Sequence, residues 1–78
     1  NHQYLLILKY DINYDEAVLS KVKKLGKTKL KSKNINRNIV EISYEIEVKD
    51  NEDILNNFKD DEYILNASMI SYQNDFGA

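Results

Sequence analysis

Four lysines stand at alternate positions in "KTKLKSK", Lys27, Lys29, Lys31 and Lys33. In an extended strand that spacing puts four ammonium groups on one side. A row of cations is the chemistry of an anion site or a membrane-surface contact. The same spacing describes the solvated face of an edge strand, where lysine discourages edge-to-edge aggregation. The following stretch, "IVEISYEIEV", carries Glu41, Glu45 and Glu47 on one side. A hairpin turning near Asn36 would set Lys31 across from Glu41 and Lys27 across from Glu45. Opposite charges facing each other across strands stabilise by roughly 0.2 to 1 kcal/mol each. The lysines are therefore expected to be matched inside the sheet as a solvated face.

The other chemistry-bearing residues are scattered. Carboxylates gather in "KDNED" and "KDDE", without the glycine and spaced donors of a calcium loop, and they read as a helix cap and a solvated turn. His2 has no metal-binding partners nearby in sequence. Cysteine is absent, which removes a disulfide framework, a zinc knuckle and a thiol nucleophile. Asn66, Ala67 and Ser68 spell a glycosylation acceptor, but they fall inside an expected strand. Arg37 is the single arginine and sits in the expected hairpin loop. A nucleophile, a base and oxyanion donors cannot be assembled from this set. The expectation is a protein that is not an enzyme and uses neither cofactor nor metal.

Composition narrows the partners. Thirteen acidic against eleven basic residues give a net charge of -2 over 78 residues, which opposes nucleic-acid binding, since phosphate neutralisation needs a basic surplus. The continuous apolar run "YLLIL" is too short to span a bilayer or form a signal-peptide core. A chain that begins at Asn1 and opens almost at once into that run reads as a fragment of something longer. Heavy use of Lys, Asn and Ile with no Pro suggests an A/T-rich bacterial genome.

The elements that must position these residues follow from periodicity. "YLLILKY", Tyr4 to Tyr10, is apolar on both faces and reads as a central strand, with Tyr4, Leu6, Leu8 and Tyr10 on one side and Leu5, Ile7 and Lys9 on the other. Asn13 is the expected N-cap of a helix, Glu16 its capping-box partner and Gly26 its C-cap, with Tyr14, Val18, Val22 and Leu25 on one stripe. The period then changes to two, for a hairpin of residues 27–33 and 39–48 joined by "NINRN". Val40, Ile42, Tyr44, Ile46 and Val48 share one face of its second strand. A second helix is expected from Asp50 or Asn51, with Glu52 and Asp53 in its first turn and Ile54, Leu55 and Phe58 buried. Residues 63–73 form the last strand, with Leu65, Ala67 and Met69 facing one way and Ile64, Ile70 and Tyr72 the other, before a frayed tail.

Strand, helix, strand, strand, helix, strand is the βαββαβ order of ferredoxin-like α+β folds. It predicts one domain over residues 1–78, with the first and third strands in the middle of a four-stranded antiparallel sheet and two helices on one face. RNA-recognition domains share that order but read bases with aromatics on the exposed strand face, where this chain has Glu41, Ser43, Glu45 and Glu47. Acylphosphatases need an anion-cradling loop with an arginine after the first strand; "DINYDE" has none. Heavy-metal-binding members place Cys-x-x-Cys there. What survives is a surface: Leu5, Ile7, Ile70 and Tyr72 are expected to form an apolar patch away from the helices, a candidate interface for a second copy or a neighbouring domain.

The stretches "VEISYEIEVKD" and "ASMISYQNDFG", with the step Ser71 to Tyr72, resemble the soluble C-terminal tails of a family of uncharacterised bacterial multi-pass membrane proteins. That resemblance implies a non-catalytic regulatory or assembly domain on the cytoplasmic side of a bacterial membrane, joined to it through a preceding segment. The element order also resembles ACT regulatory domains and the cytosolic tails of magnesium-transport-associated membrane proteins. An ACT-like domain would sense a small ligand, an amino acid above all, at a glycine-containing loop after the first strand. "DINYDE" lacks that glycine. A degenerate phosphatase-like enzyme is a weaker third reading, and no functional residue carries over from any of these families.

Overall fold

The computed structural model describes residues 2–49 and 52–71. Its elements run β1 (His2–Asp11), a 3₁₀ turn (Ile12–Tyr14), α1 (Asp15–Lys24), β2 (Thr28–Asn36), β3 (Ile39–Val48), a second 3₁₀ turn (Leu55–Asn57) and β4 (Ile64–Ser71). The strands form one antiparallel sheet in the order β2-β3-β1-β4, with β1 and β3 central as expected. The α+β class holds. The ferredoxin-like βαββαβ order does not: among the described residues there is one α-helix, and the chain runs β-α-β-β-β.

The missing second helix has a local cause. The segment between β3 and β4 folds as successive tight turns, with Asn57 N donating to Ile54 O, Phe58 N to Leu55 O, Asp61 N to Phe58 O and Ile64 N to Asp61 O. The Asp53 carboxylate accepts from Asn56 N, and the Asn57 side-chain amide donates to Ile54 O at 2.9 Å, occupying a carbonyl a helix would use. Asp and Asn side chains compete with the helical ladder in this way, and a helix of two turns is marginal even without competition. The expected caps Asp50 and Asn51 lie outside the described residues. Burial nevertheless follows the expected stripe: Ile54 and Phe58 are buried and Leu55 is half-buried.

The first helix starts one residue later than its capping box predicts. The Asp11 carboxylate, not Asn13, turns the chain by accepting from Asn13 N at 2.8 Å, and Ile12 N is tied to Asn38 O of the hairpin at 2.7 Å. A 3₁₀ turn intervenes, and α1 begins with Tyr14 at the N-cap position and no side-chain cap. Asp15 and Glu16 in its first turn and Lys21, Lys23 and Lys24 in its last complement the helix dipole. Beyond the C-cap residue Leu25, Gly26 adopts φ 106°, the left-handed exit that glycine makes without strain.

One side of the sheet carries the core. Leu6, Leu8 and Tyr10 of β1 and Val40, Ile42, Tyr44, Ile46 and Val48 of β3 pack with Val18 and Val22 of α1 and with Ile54 and Phe58. Strict alternation delivers these faces, because successive strand side chains point to opposite sides.

Alternation fails in β2. Lys29 lies opposite Glu45 and Leu30 opposite Tyr44, but the next pairs are Ser32 with Ser43 and Lys33 with Ile42, so Lys31 is the extra residue of a bulge. One extra residue reverses the facing of all that follow. Lys29 therefore belongs to the open face, whereas Lys33 belongs to the helix side. The expected pairs change accordingly: Asn34, not Lys31, opposes Glu41, and the Lys31 ammonium sits 3.9 Å from Glu45 instead.

β2 and β3 are joined through Arg37 and Asn38, with Asn36 opposite Ile39. Arg37 has φ 59°, a left-handed conformation that costs a side-chain-bearing residue roughly 1 to 2 kcal/mol and glycine almost nothing. Allowing for the looser unfolded chain, Arg37→Gly is expected to stabilise by about 0.5 to 1 kcal/mol. Calorimetry would show the thermal midpoint rising by several degrees, and an unchanged or lower midpoint would mean that the arginine side chain holds the turn.

Candidate interface

The face of the sheet opposite α1 is where the sequence places its apolar patch. On β1 this face carries Gln3, Leu5, Ile7 and Lys9, since the alternate residues Leu6, Leu8 and Tyr10 are buried in the core. Leu5 lies opposite Ile70 on one side and Glu45 on the other; Ile7 lies between Ser68 and Ser43. Leu5 and Ile7 are half-buried by these neighbours, while Ile70 on the outer strand is 52% exposed. Three of the four expected interface residues are thus brought together on the open face. The fourth, Tyr72, lies outside the described residues.

A bulge in β4 modifies the expected facing of that strand. Lys9 pairs with Asn66 but Tyr10 pairs with Ile64, leaving Leu65 as the extra residue, 56% exposed. Ala67 and Met69 still face the core side, opposite Leu8 and Leu6, but Ile64 joins that side and Leu65 does not. Asn66 and Ser68 of the acceptor triplet fall on the open face within the strand.

Charge frames the patch on one flank. Glu41, Ser43, Glu45 and Glu47 line the open face of β3, with Lys29, Ser32 and Asn34 beyond them on β2, and the Ser32 and Ser43 hydroxyls are hydrogen-bonded. A hollow of about 630 Å³ at the start of β1 is lined by residues of both signs, among them Lys27, Lys29, Lys49, Glu45 and Glu52. It lies at the end of β1 opposite to the "DINYDE" loop, where an ACT-like ligand would be expected.

The remaining polar clusters fasten α1 down, and sequence spacing did not reveal them. Tyr10 is fully buried and donates its hydroxyl to the Asp15 carboxylate at 2.6 Å, whose other oxygen accepts from the Lys33 ammonium at 2.9 Å. The Tyr10 hydrogen bond, with help from Lys33, holds the Asp15 carboxyl below its usual range against some desolvation. Burial, then the bond to Asp15, pushes the Tyr10 hydroxyl well above the usual tyrosine value. Near neutrality the pair holds its proton in place, which suits a structural tie. Burial raises Tyr44 as well. At the other end, Lys21 donates to the Asp61 carboxylate and to Asn57 O, with its ammonium 5.7 Å from the centre of the Phe58 ring. Tyr14 and Tyr63 stack with ring centres 4.7 Å apart, joining the start of α1 to the segment entering β4.

Among the described residues no three His, Cys, Asp or Glu side chains cluster so as to hold a metal ion. No described helix is long and apolar enough to cross a membrane. Set against protein-family models, curated proteins and solved structures, the chain matches none of them.

Proposed function

We propose that this chain is a non-catalytic assembly or regulatory domain that works by packing the open face of its sheet against a second copy or a neighbouring domain. The observation that carries the reading is the juxtaposition of Leu5, Ile7 and Ile70 on the face that α1 leaves uncovered. Contiguous apolar surface of this kind marks partner contacts. The flanking charge restricts how two copies could stack. A two-fold axis across the strands would lay the β3 glutamates over their own copies, at a cost in like-charge repulsion. An axis along the strands lays the β1 and β4 half of one sheet over the same half of the other and keeps the glutamates apart. As part of this reading, the domain is the cytosolic tail of a bacterial membrane protein; apolar runs of roughly 20 residues upstream of Asn1 would support that placement.

The test is Leu5→Lys with Ile7→Lys. Leu5 faces Glu45 across the strands, so a lysine there gains a counter-charge and the fold should persist by circular dichroism. Sedimentation velocity should show the wild type associating with rising concentration and the double variant shifted to lower mass. A wild type that keeps the 9.2 kDa mass of one chain at millimolar concentration would exclude self-association through this face.

A further inference from the structure

The two edges of the sheet differ in a way the open face does not explain. β2 carries Lys29, Lys31 and Lys33 and a bulge near its middle, devices that block pairing with another strand. β4, "ILNASMIS", has no charged residue and no proline, and its one irregularity lies near its start at Leu65. From Asn66 to Ser71 it is a regular strand, paired on one side with β1 and standing at the end of the sheet among the described residues. Such a strand presents a row of backbone N-H and C=O groups on its outer side.

We propose that β4 pairs antiparallel with β4 of a second copy, making one continuous eight-stranded sheet. A two-fold axis perpendicular to the sheet keeps each face on its own side, and residues directly opposite across an antiparallel pair share a face. The axis must therefore pass midway between one residue and its own copy. Centred on Ser68, it sets Ser68 against its copy, Asn66 against Ile70 and Ala67 against Met69. Registers centred on Ala67 or Met69 are equally free of charge, so none brings like charges together. The same operation at β2 would set lysines near lysines, which is destabilising. Self-pairing is thus permitted at one edge and opposed at the other. The edge contact stands on β4 alone. Together with the proposed face contact, it would join two Leu5 and Ile70 patches into one surface.

Since the chain has no cysteine, single substitutions report the contact directly. Opposed residues in an antiparallel pair have Cα atoms about 4.5 to 5.5 Å apart, inside the range a disulfide spans. Cysteine is placed in turn at residues 66 to 70 and, as a control on the β2 edge, at residue 34, and each folded variant is oxidised with diamide at micromolar concentration. The expected result is that one position in β4, the one on the axis, forms covalent dimer roughly 10-fold or more faster than Asn34→Cys, because association raises the effective thiol concentration. Adding Leu5→Lys and Ile7→Lys to that variant should leave the rate unchanged, whereas the face contact measured by sedimentation is lost. If no β4 position outpaces the β2 control, or if the face substitutions abolish the cross-link, edge pairing is wrong. A failure of the face contact with the cross-link intact would instead overturn only the function proposed above.

Discussion

Phe58→Ala should remove a large part of this domain's stability. Phe58 is 1% exposed and is among the largest side chains fully removed from water, yet it belongs to a segment held by single turns and not by an α-helix of its own. Truncating a buried phenylalanine costs about 3 to 5 kcal/mol through lost transfer energy and the cavity left behind. A chain of this length has roughly 4 to 12 kcal/mol in all. The ring also lies under the Lys21 ammonium that binds Asn57 O and Asp61, so its removal loosens the tie between α1 and the β3 to β4 connection. Urea unfolding followed by far-ultraviolet circular dichroism is the measurement. The half-buried neighbour Leu55→Ala is the control and should lose much less. Comparable losses in the two variants would mean that the connection, not the Phe58 ring, carries the stability.

Alkali is the second strong perturbation. Tyr10 and Tyr44 both hold their protons more tightly in the folded chain than in the unfolded one, chiefly through burial, and then through Asp15, which binds the Tyr10 hydroxyl and acts on Tyr44 by its charge. Their contribution is complete below the ordinary tyrosine value near 10 and is lost as pH rises from there through the folded values. Over that interval each group lowers stability by up to about 1.4 kcal/mol per pH unit. Urea midpoints taken between pH 8 and pH 11 should fall for the wild type. Tyr10→Phe should start lower at pH 8, because the Asp15 carboxylate loses a donor, and then fall less steeply. Parallel curves for the two proteins would show that the Tyr10 proton is not held by its surroundings. Asp15 runs in the opposite sense: its folded value is depressed, so its contribution is present above the ordinary carboxyl range and is lost as pH falls through the folded value.

The legible parts of the fold are those written in short-range pattern. Period-two alternation assigned the buried faces of β1 and β3 residue by residue, and helical spacing with Gly26 placed α1 and its exit. Leu5, Ile7 and Ile70 came together on the open face for the same reason, since facing along a regular strand is a matter of parity. Parity is also where the reading broke. "KTKLKSK" alternates without a flaw, and nothing within it marks Lys31 as the residue that β3 leaves unpaired. Once the bulge reverses the strand, Lys33 meets Asp15 on the helix side. That bond, between residues 18 apart in sequence, was invisible to local spacing. The second helix failed differently. Its apolar positions were right, but the Asp53 and Asn57 side chains offered the backbone closer partners than the next helical turn did.

The sequence by itself determined the class, the two central strands, the core-facing residues of β1 and β3, and an apolar patch with an acidic flank. These depend on the alternation of residue types along each segment, which survives any change in how the segments meet. Only the tertiary structure decided the bulges at Lys31 and Leu65, the replacement of a helix by turns, the buried Tyr10 to Asp15 to Lys33 tie, and the contrast between a lysine-guarded edge and an uncharged one. The helix was lost to the local Asp53 and Asn57 side chains; the other features arise where distant segments compete for the same backbone groups and the same buried space. Their outcome is set by partners that no local pattern names.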